Sequence, residues 1–244
     1  MKKVILSLLT ILLFSGLANA QTNPPEKKLI DLSSRPADHL MIQFGADSWV
    51  GGPDSVKTSG TGRHFNIYFM MDKPFRTNNK FSLAYGVGFG TNNQYIDKGT
   101  FVDLAQVANS IRFKQLDSLA NRFDKHKVAT VYLQVPAEIR YYSNPANPAK
   151  SWKFAAGLKV GLLFKGFTKS KDLQTFNGSS LYGKTYVQKI NNKRFFTNND
   201  FTLTARAGYG IISMNLGYSV SPVVRDGFGP AFNRLSVGLS ISGL

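Results

Sequence analysis

The stretch VYLQVPAEIRYY, Val131 to Tyr142, alternates with the period of two that a β-strand requires. One face carries Gln134, Pro136, Glu138 and Arg140, and the other carries Val131, Leu133, Val135, Ala137 and Ile139. A soluble sheet turns its charges to water and its hydrocarbon to a core. A barrel that spans lipid does the reverse and closes its charges inside. Alternation alone does not say which face is inside. The rest of the chain decides it.

Seven further segments alternate in the same way. Their hydrocarbon faces are Leu40–Ala46, Phe65–Met71, Phe81–Phe89, Phe154–Leu162, Phe201–Ala207, Ile212–Tyr218 and Leu235–Ile241, each taken at every second residue. The connections between the eight segments also alternate. Those at Lys73–Lys80, Ser143–Lys150 and around Gly210 are short, whereas Gly90–Lys127 and Gly166–Asn199 are very long and Gly51–Gly62 and Ser221–Phe232 moderate. Short turns at one end and long loops at the other are the profile of an up-and-down membrane barrel.

Three features assign the faces. The face opposite the hydrocarbon is rich in glycine (Gly45, Gly86, Gly88, Gly157, Gly161, Gly208, Gly217 and Gly238). Glycine weakens an exposed strand but makes room inside a narrow barrel, here for arginines and lysines opposite. Aromatics including Trp49, Phe81, Phe89, Tyr141, Tyr142, Trp152, Phe164, Tyr209 and Tyr218 fall at strand ends, as membrane-interface girdles do. The hydrocarbon faces are almost free of charge, as lipid demands. The expected fold is therefore all-β: an eight-stranded antiparallel up-and-down transmembrane β-barrel with short periplasmic turns and long extracellular loops. Its lumen is expected to hold a charge network of Asp47, Glu138, Arg140, Lys153, Lys159 and Arg206. Pro136 cannot donate to a ladder, so it is expected to mark a bulge or bend.

Residues 1–20 read as a cleaved signal peptide: Lys2 and Lys3, the apolar run Val4–Leu17, then Ala18-Asn19-Ala20 before a cut after Ala20. Residues 21–37 read as a Pro-rich periplasmic lead-in and 38–244 as the barrel. Without Lys2 and Lys3 the balance is 28 basic to 14 acidic residues, a net +14. In an exported chain this points to outer-membrane lipid and lipopolysaccharide as partners, with other envelope or secretion proteins beside them, and not to nucleic acid. The absence of cysteine rules out a disulfide framework. In the loop Gly166–Asn199, Lys169, Lys171, Lys184, Lys189, Lys193 and Arg194 face the single acid Asp172. These six are the candidate contacts to anionic lipid. Between Asp103 and Phe123 the spacing of Leu104, Val107, Ala108, Ile111, Leu116, Leu119, Ala120 and Phe123 fits a loop helix or long strand extensions.

The segments YLQVPAEIRY, FAAGLKVGLLFKG, RAGYGIISMNLGYSVSPV and LSVGLSISG, following a signal peptide, resemble the small outer-membrane β-barrel proteins of Bacteroidetes, the PorT-like family. The resemblance implies an eight-stranded barrel with both chain ends in the periplasm. It also implies, for one group of members, a part in type IX protein secretion. No catalytic residue carries over with it.

Little in the chain suggests catalysis. His39, His64 and His126 lack metal-ligand spacing, and no cysteine completes a zinc site. No nucleophile elbow is present, and Gly86-Val87-Gly88-Phe89-Gly90 lies in a strand with no helix after it, so it is not a phosphate loop. The expectation is a cofactor-free, non-catalytic outer-membrane component acting in structure, surface recognition or secretion. The alternatives are a barrel enzyme modifying envelope lipids, for which His126 with Ser110 or Ser118 is the available pair, and a soluble exported barrel holding an apolar ligand.

Overall fold

The computed structural model describes residues 39–243 apart from 55, 105–108 and 118. The proposed signal peptide and lead-in lie outside the described residues. Eleven strands are present: β1 (Leu40–Val50), β2 (Gly62–Pro74), β3 (Phe81–Ile96), β4 (Thr100–Asp103), β5 (Arg112–Gln115), β6 (Arg122–Tyr142), β7 (Trp152–Gln174), β8 (Val187–Asn191), β9 (Asn199–Tyr209), β10 (Ile212–Ser219) and β11 (Asn233–Ser242). Eight of them close a ring in the order β1-β2-β3-β6-β7-β9-β10-β11, with β11 pairing back onto β1. All its pairings are antiparallel. Closure leaves the ring no free edge.

The short connections gather at one end of the ring and the long ones at the other. β3, β6 and β7 outrun their neighbours at the long-loop end, because the ladder β3–β6 continues to Ile96↔His126 and the ladder β6–β7 to Arg122↔Gln174. β8 then pairs with the extended part of β7, from Phe167↔Asn191 to Lys171↔Val187. The four strands form a wall that stands above the rest of the barrel.

Three expectations are corrected here. The Asp103–Phe123 segment contributes no α-helix among the described residues. Thr100–Asp103 pairs with Arg112–Gln115 as a separate hairpin, and of the described apolar residues in that spacing Phe123 alone lies in a ring strand, β6, so the spacing reflects neither a helix nor a long strand extension. Pro136 does not sit at a bulge either. The ladder to β3 leaves out Pro136 and Val135 but keeps its register, from Tyr85↔Ala137 to Gly88↔Gln134. The register shift falls at Val131/Tyr132, where β7 inserts the extra residue Phe164 between Leu163 and Lys165. Finally, two proposed girdle aromatics face elsewhere: Tyr142 is buried in the lumen and Trp49 stacks on Phe232 in the loops, ring centroids 5.0 Å apart.

The faces are assigned by burial. Val135 and Ile139 are 51% and 54% exposed while Gln134, Glu138 and Arg140 are 1–3% exposed. The same holds around the ring: Phe69, Val87, Leu158, Leu203 and Leu216 point outward, and the polar residues point in. A soluble barrel filled by hydrocarbon is thereby excluded as a reading of this fold.

Candidate functional site

The outside of the barrel is a continuous apolar band. On β2 it runs from Phe65 to Met71, bounded by outward-facing Arg63 at one end and Lys73 at the other. The ten residue steps from Arg63 to Lys73, at about 3.3 Å each and tilted by about 40°, set these charges about 25 Å apart along the barrel axis, the hydrophobic height of an outer-membrane barrel. Aromatic pairs mark its rims. Phe81 with Tyr141 (5.2 Å) and Trp152 with Tyr209 (5.6 Å) lie at the turn end, and Phe89 with Phe164 (6.4 Å) at the loop end.

Inside, each layer is filled and paired. Nearest the turns, Met41, Met70 and Ala84 form a small apolar floor. Above it the Glu138 carboxylate accepts from two guanidiniums. Arg206 donates through Nε (3.2 Å) and Nη2 (2.7 Å), a bidentate grip, and Arg140 through Nε (3.1 Å). Arg206 also donates to Ser213 Oγ at 3.3 Å. The middle layer is neutral apart from Lys159. Tyr68 OH donates to Gln134 Oε1 at 2.6 Å, Asn66 donates to Gln43, and the Lys159 ammonium lies over the Tyr68 ring at 5.7 Å.

A second ionic layer follows. Arg234 donates to Asp200 at 2.7 Å, and Asp200 also accepts from Ser219 (2.6 Å) and Thr202 (3.1 Å). Asp47 meets His64 at 2.8 Å. Glycine provides part of the room: a Cβ on Gly88 would strike the Ile67 carbonyl and the Tyr68 ring. The space therefore goes to Tyr68 and its neighbours, not to the arginines and lysines expected from sequence.

Of the six expected lumen charges, Glu138, Arg140 and Arg206 join one cluster. Asp47 belongs to the upper layer, Lys159 stands between the two, and Lys153 sits at the turn-end rim over the Tyr142 ring at 5.5 Å. Asp200, Arg234 and His64 were not anticipated. Two voids open on the lumen, one lined by Asp47, Gln94, Thr130 and Arg234, the other by Arg140, Tyr142, Lys153 and Arg206. Each holds about 10 Å³, room for one water at most.

Over the upper layer the loops build an apolar cap. Val102 and Leu104 of the β4 region, Ile111 before β5, Phe195 and Phe196 of the third long loop, and Val223, Val224 and Phe232 of the fourth are all buried together. His126 fastens the hairpin to the wall. Its Nε2 accepts the Val102 backbone N–H at 3.3 Å, so its proton sits on Nδ1, which donates to Ser170 Oγ at 2.7 Å. Burial lowers the pKa of this imidazole to about 4. Among the described residues Ser110, one of its two proposed catalytic partners, is not a hydrogen-bond partner of His126, and Ser118 lies outside the described residues.

The basic residues divide into two places. On the outer face of the wall, Lys127, Lys169 and Lys189 are aligned across β6, β7 and β8, and Lys125 pairs with Lys171 in the next row. Lys127 donates to Asn93 at 2.8 Å, yet burial, and after it the charge of Lys169, lowers its pKa. Lys184 is exposed in the turn before β8. Lys193 and Arg194 lie elsewhere. With Arg225, Asp226, Asn198, Ser221 and Phe196 they line an open cleft of about 550 Å³ at the loop-end rim of the apolar band.

No curated protein and no solved structure matches the chain. A family model described as an outer membrane protein beta-barrel domain matches residues 41–233, from the second residue of β1 to the first of β11. With a closed eight-stranded ring, an apolar band of membrane height and a charged interior, the chain belongs to the outer membrane protein β-barrel domain family and is an integral outer-membrane barrel.

Proposed function

We propose that this protein is a non-catalytic, non-conducting barrel that works through its extracellular wall and loops, as a surface-recognition or secretion-associated component of the envelope. The resemblance of the strand segments quoted above supports reading it as one of the PorT-like barrels of Bacteroidetes, and so as a component near the type IX machinery. The observation that carries the reading is the filling of the lumen: two ionic layers, a neutral layer and an apolar cap leave no path for solute. The buried His126–Ser170 pair supports a non-catalytic reading. His126 Nε2 is occupied by a backbone donor where a catalytic carboxylate would sit, and Ser170 is itself buried.

Lipid contact is assigned to the rim. Lys193, Arg194 and Arg225 border the apolar band at the height of outer-leaflet phosphates, while Phe164 and Lys165 meet the same boundary. The remaining cations climb away from it on the wall. The test is twofold. Vesicles containing the refolded protein should be no more permeable to small sugars than empty ones, and measurable swelling would sink the closed-lumen reading. A deletion strain should lose particular proteins from its secreted fraction. An unchanged secreted proteome with intact surface binding would leave recognition and remove secretion.

A further inference from the structure

The wall above the membrane has two side edges, and they are finished differently. On the β3 side the first loop covers the edge: Thr58 bridges Ile96, Ser59 N–H donates to the Tyr95 carbonyl (3.0 Å) and Asp97 N–H to the Lys57 carbonyl (3.1 Å). On the other side β8 is the last strand in the sheet. Asp172 N–H donates to the Tyr186 carbonyl (2.9 Å) and Asn192 N–H to the Gly166 carbonyl (3.0 Å). Antiparallel pairing alternates, so Gln188 and Ile190 turn their backbone groups to β7, and Val187, Lys189 and Asn191 turn theirs away. Among the described residues no hydrogen bond reaches those outward groups, and all three residues are exposed.

An open edge is a template for one more strand. Its surroundings select the occupant. Lys189 stands at the centre of β8, with Lys169 opposite it on β7 and Lys171 in the next row. A second copy of β8 would set lysine near lysine, so self-pairing is opposed and an acidic strand is favoured. Apolar surface adjoins the edge, far above the lipid band: Leu181, Tyr182 and Val187 are 44%, 68% and 45% exposed.

We propose that β8 is a docking edge for an extended acidic segment of an exported protein, which adds as a strand beside Val187–Asn191. Its carboxylates lie against Lys169, Lys171 and Lys189 and its apolar side chains against Leu181, Tyr182 and Val187. The backbone of three edge residues offers up to six hydrogen bonds to it. The proposal rests on the recognition reading above and supplies the partner class and the mode of binding.

The test uses the full mature protein in detergent micelles and a phage-displayed library of random nine-residue peptides as the probe. Two variants separate backbone from charge. Val187→Pro removes one outward donor, because that N–H does not serve the β7 ladder; its fold is checked by heat-modifiable gel migration and by exchange protection of the Ile190 amide. Lys189→Gln removes charge and keeps the backbone. The expected result is enrichment of acidic peptides with alternating β-branched residues. Binding of an enriched peptide should weaken at least tenfold in Val187→Pro and several-fold in Lys189→Gln, and N-methylation of its alternate amides should abolish it. Failure to enrich any peptide, or equal binding to wild type and Val187→Pro, overturns the proposal. So does a wall that binds only lipopolysaccharide micelles, equally in both proteins. Vesicle permeability measured on the same preparations reports on the closed-lumen reading separately.

Discussion

Exchanging Glu138 for glutamine changes almost no volume and removes one negative charge from between two guanidiniums. Glu138, Arg140 and Arg206 are 3%, 2% and 8% exposed, and three charge-assisted hydrogen bonds of 2.7–3.2 Å converge on the carboxylate. In Glu138→Gln the arginines stay buried while one acceptor oxygen becomes an amide that donates. Removing one partner of a buried ion pair costs about 3–5 kcal/mol. No cavity forms, so that cost is electrostatic. Reversible guanidinium unfolding of the protein from thin-bilayer vesicles, followed by tryptophan fluorescence and heat-modifiable migration, measures it. At a slope of about 4 kcal/mol per molar, the midpoint should fall by about 1 M. In a double-mutant cycle with Arg206→Met, the coupling should exceed about 2 kcal/mol, because the two side chains share one bidentate contact. A Glu138→Gln protein within 0.5 kcal/mol of wild type, or a coupling near zero, would show that the cluster does not hold the lumen together.

Three further outcomes are expected. The His126 imidazole protonates near pH 6.5 in the unfolded chain and only near pH 4 in the fold. The unfolded state therefore binds more protons between those values. The cap is fully stable above pH 6.5 and loses up to about 3 kcal/mol as pH falls through 4. Fluorescence of Trp49 in a Trp152→Phe protein reads the cap through Phe232, and a pH-independent signal would contradict the latch. Phe69→Lys, in the middle of the apolar band, should cost about 2–4 kcal/mol of stability in vesicles, whereas Phe176→Lys on the exposed loop tip should cost under about 0.5; equal effects would place the band outside lipid. Gly88→Ala should destabilise by about 1–3 kcal/mol, and Tyr68→Ala beside it should restore little, because the Ile67 carbonyl still obstructs the new methyl; full rescue would locate the clash at the ring alone.

The eight barrel strands were legible because each has one unbroken hydrocarbon face, and the choice of face followed from charge and glycine on the other. Glu138 and Arg140 could be named because a spacing of two puts both on one face of one strand. Arg206 could be added because its strand alternates in phase. Asp200 and Arg234 escaped for a local reason. Each lies one residue before the first outward hydrocarbon, Phe201 and Leu235, where the pattern being followed had not begun. The same cause hid the wall. Above the band the outward residues are Tyr95, Lys127, Lys169 and Lys189, so the ladder continues after hydrophobic alternation has stopped. Leu104 and Ile111 belong to an apolar spacing that is visible in the sequence, but a spacing of seven fits a hairpin and a helix equally, and only the partners in the cap distinguish them.

Three different forces hold this protein at three heights. Lipid holds the outer face of the strands. Ion pairs hold a narrow, polar lumen, and each buried charge there needs its partner. Above the membrane the solvent is water again, and the chain returns to ordinary burial, closing the mouth with Phe195, Phe196, Val224 and Phe232. A barrel that conducted would leave its charges lining an open path, and one that enclosed a ligand would leave a cavity. This one uses its interior as a strut and closes the end that faces outward. Under the proposed function the rim and the wall are the surfaces that meet another molecule, where cations stand in rows and, among the described residues, β8 ends the sheet with an open edge.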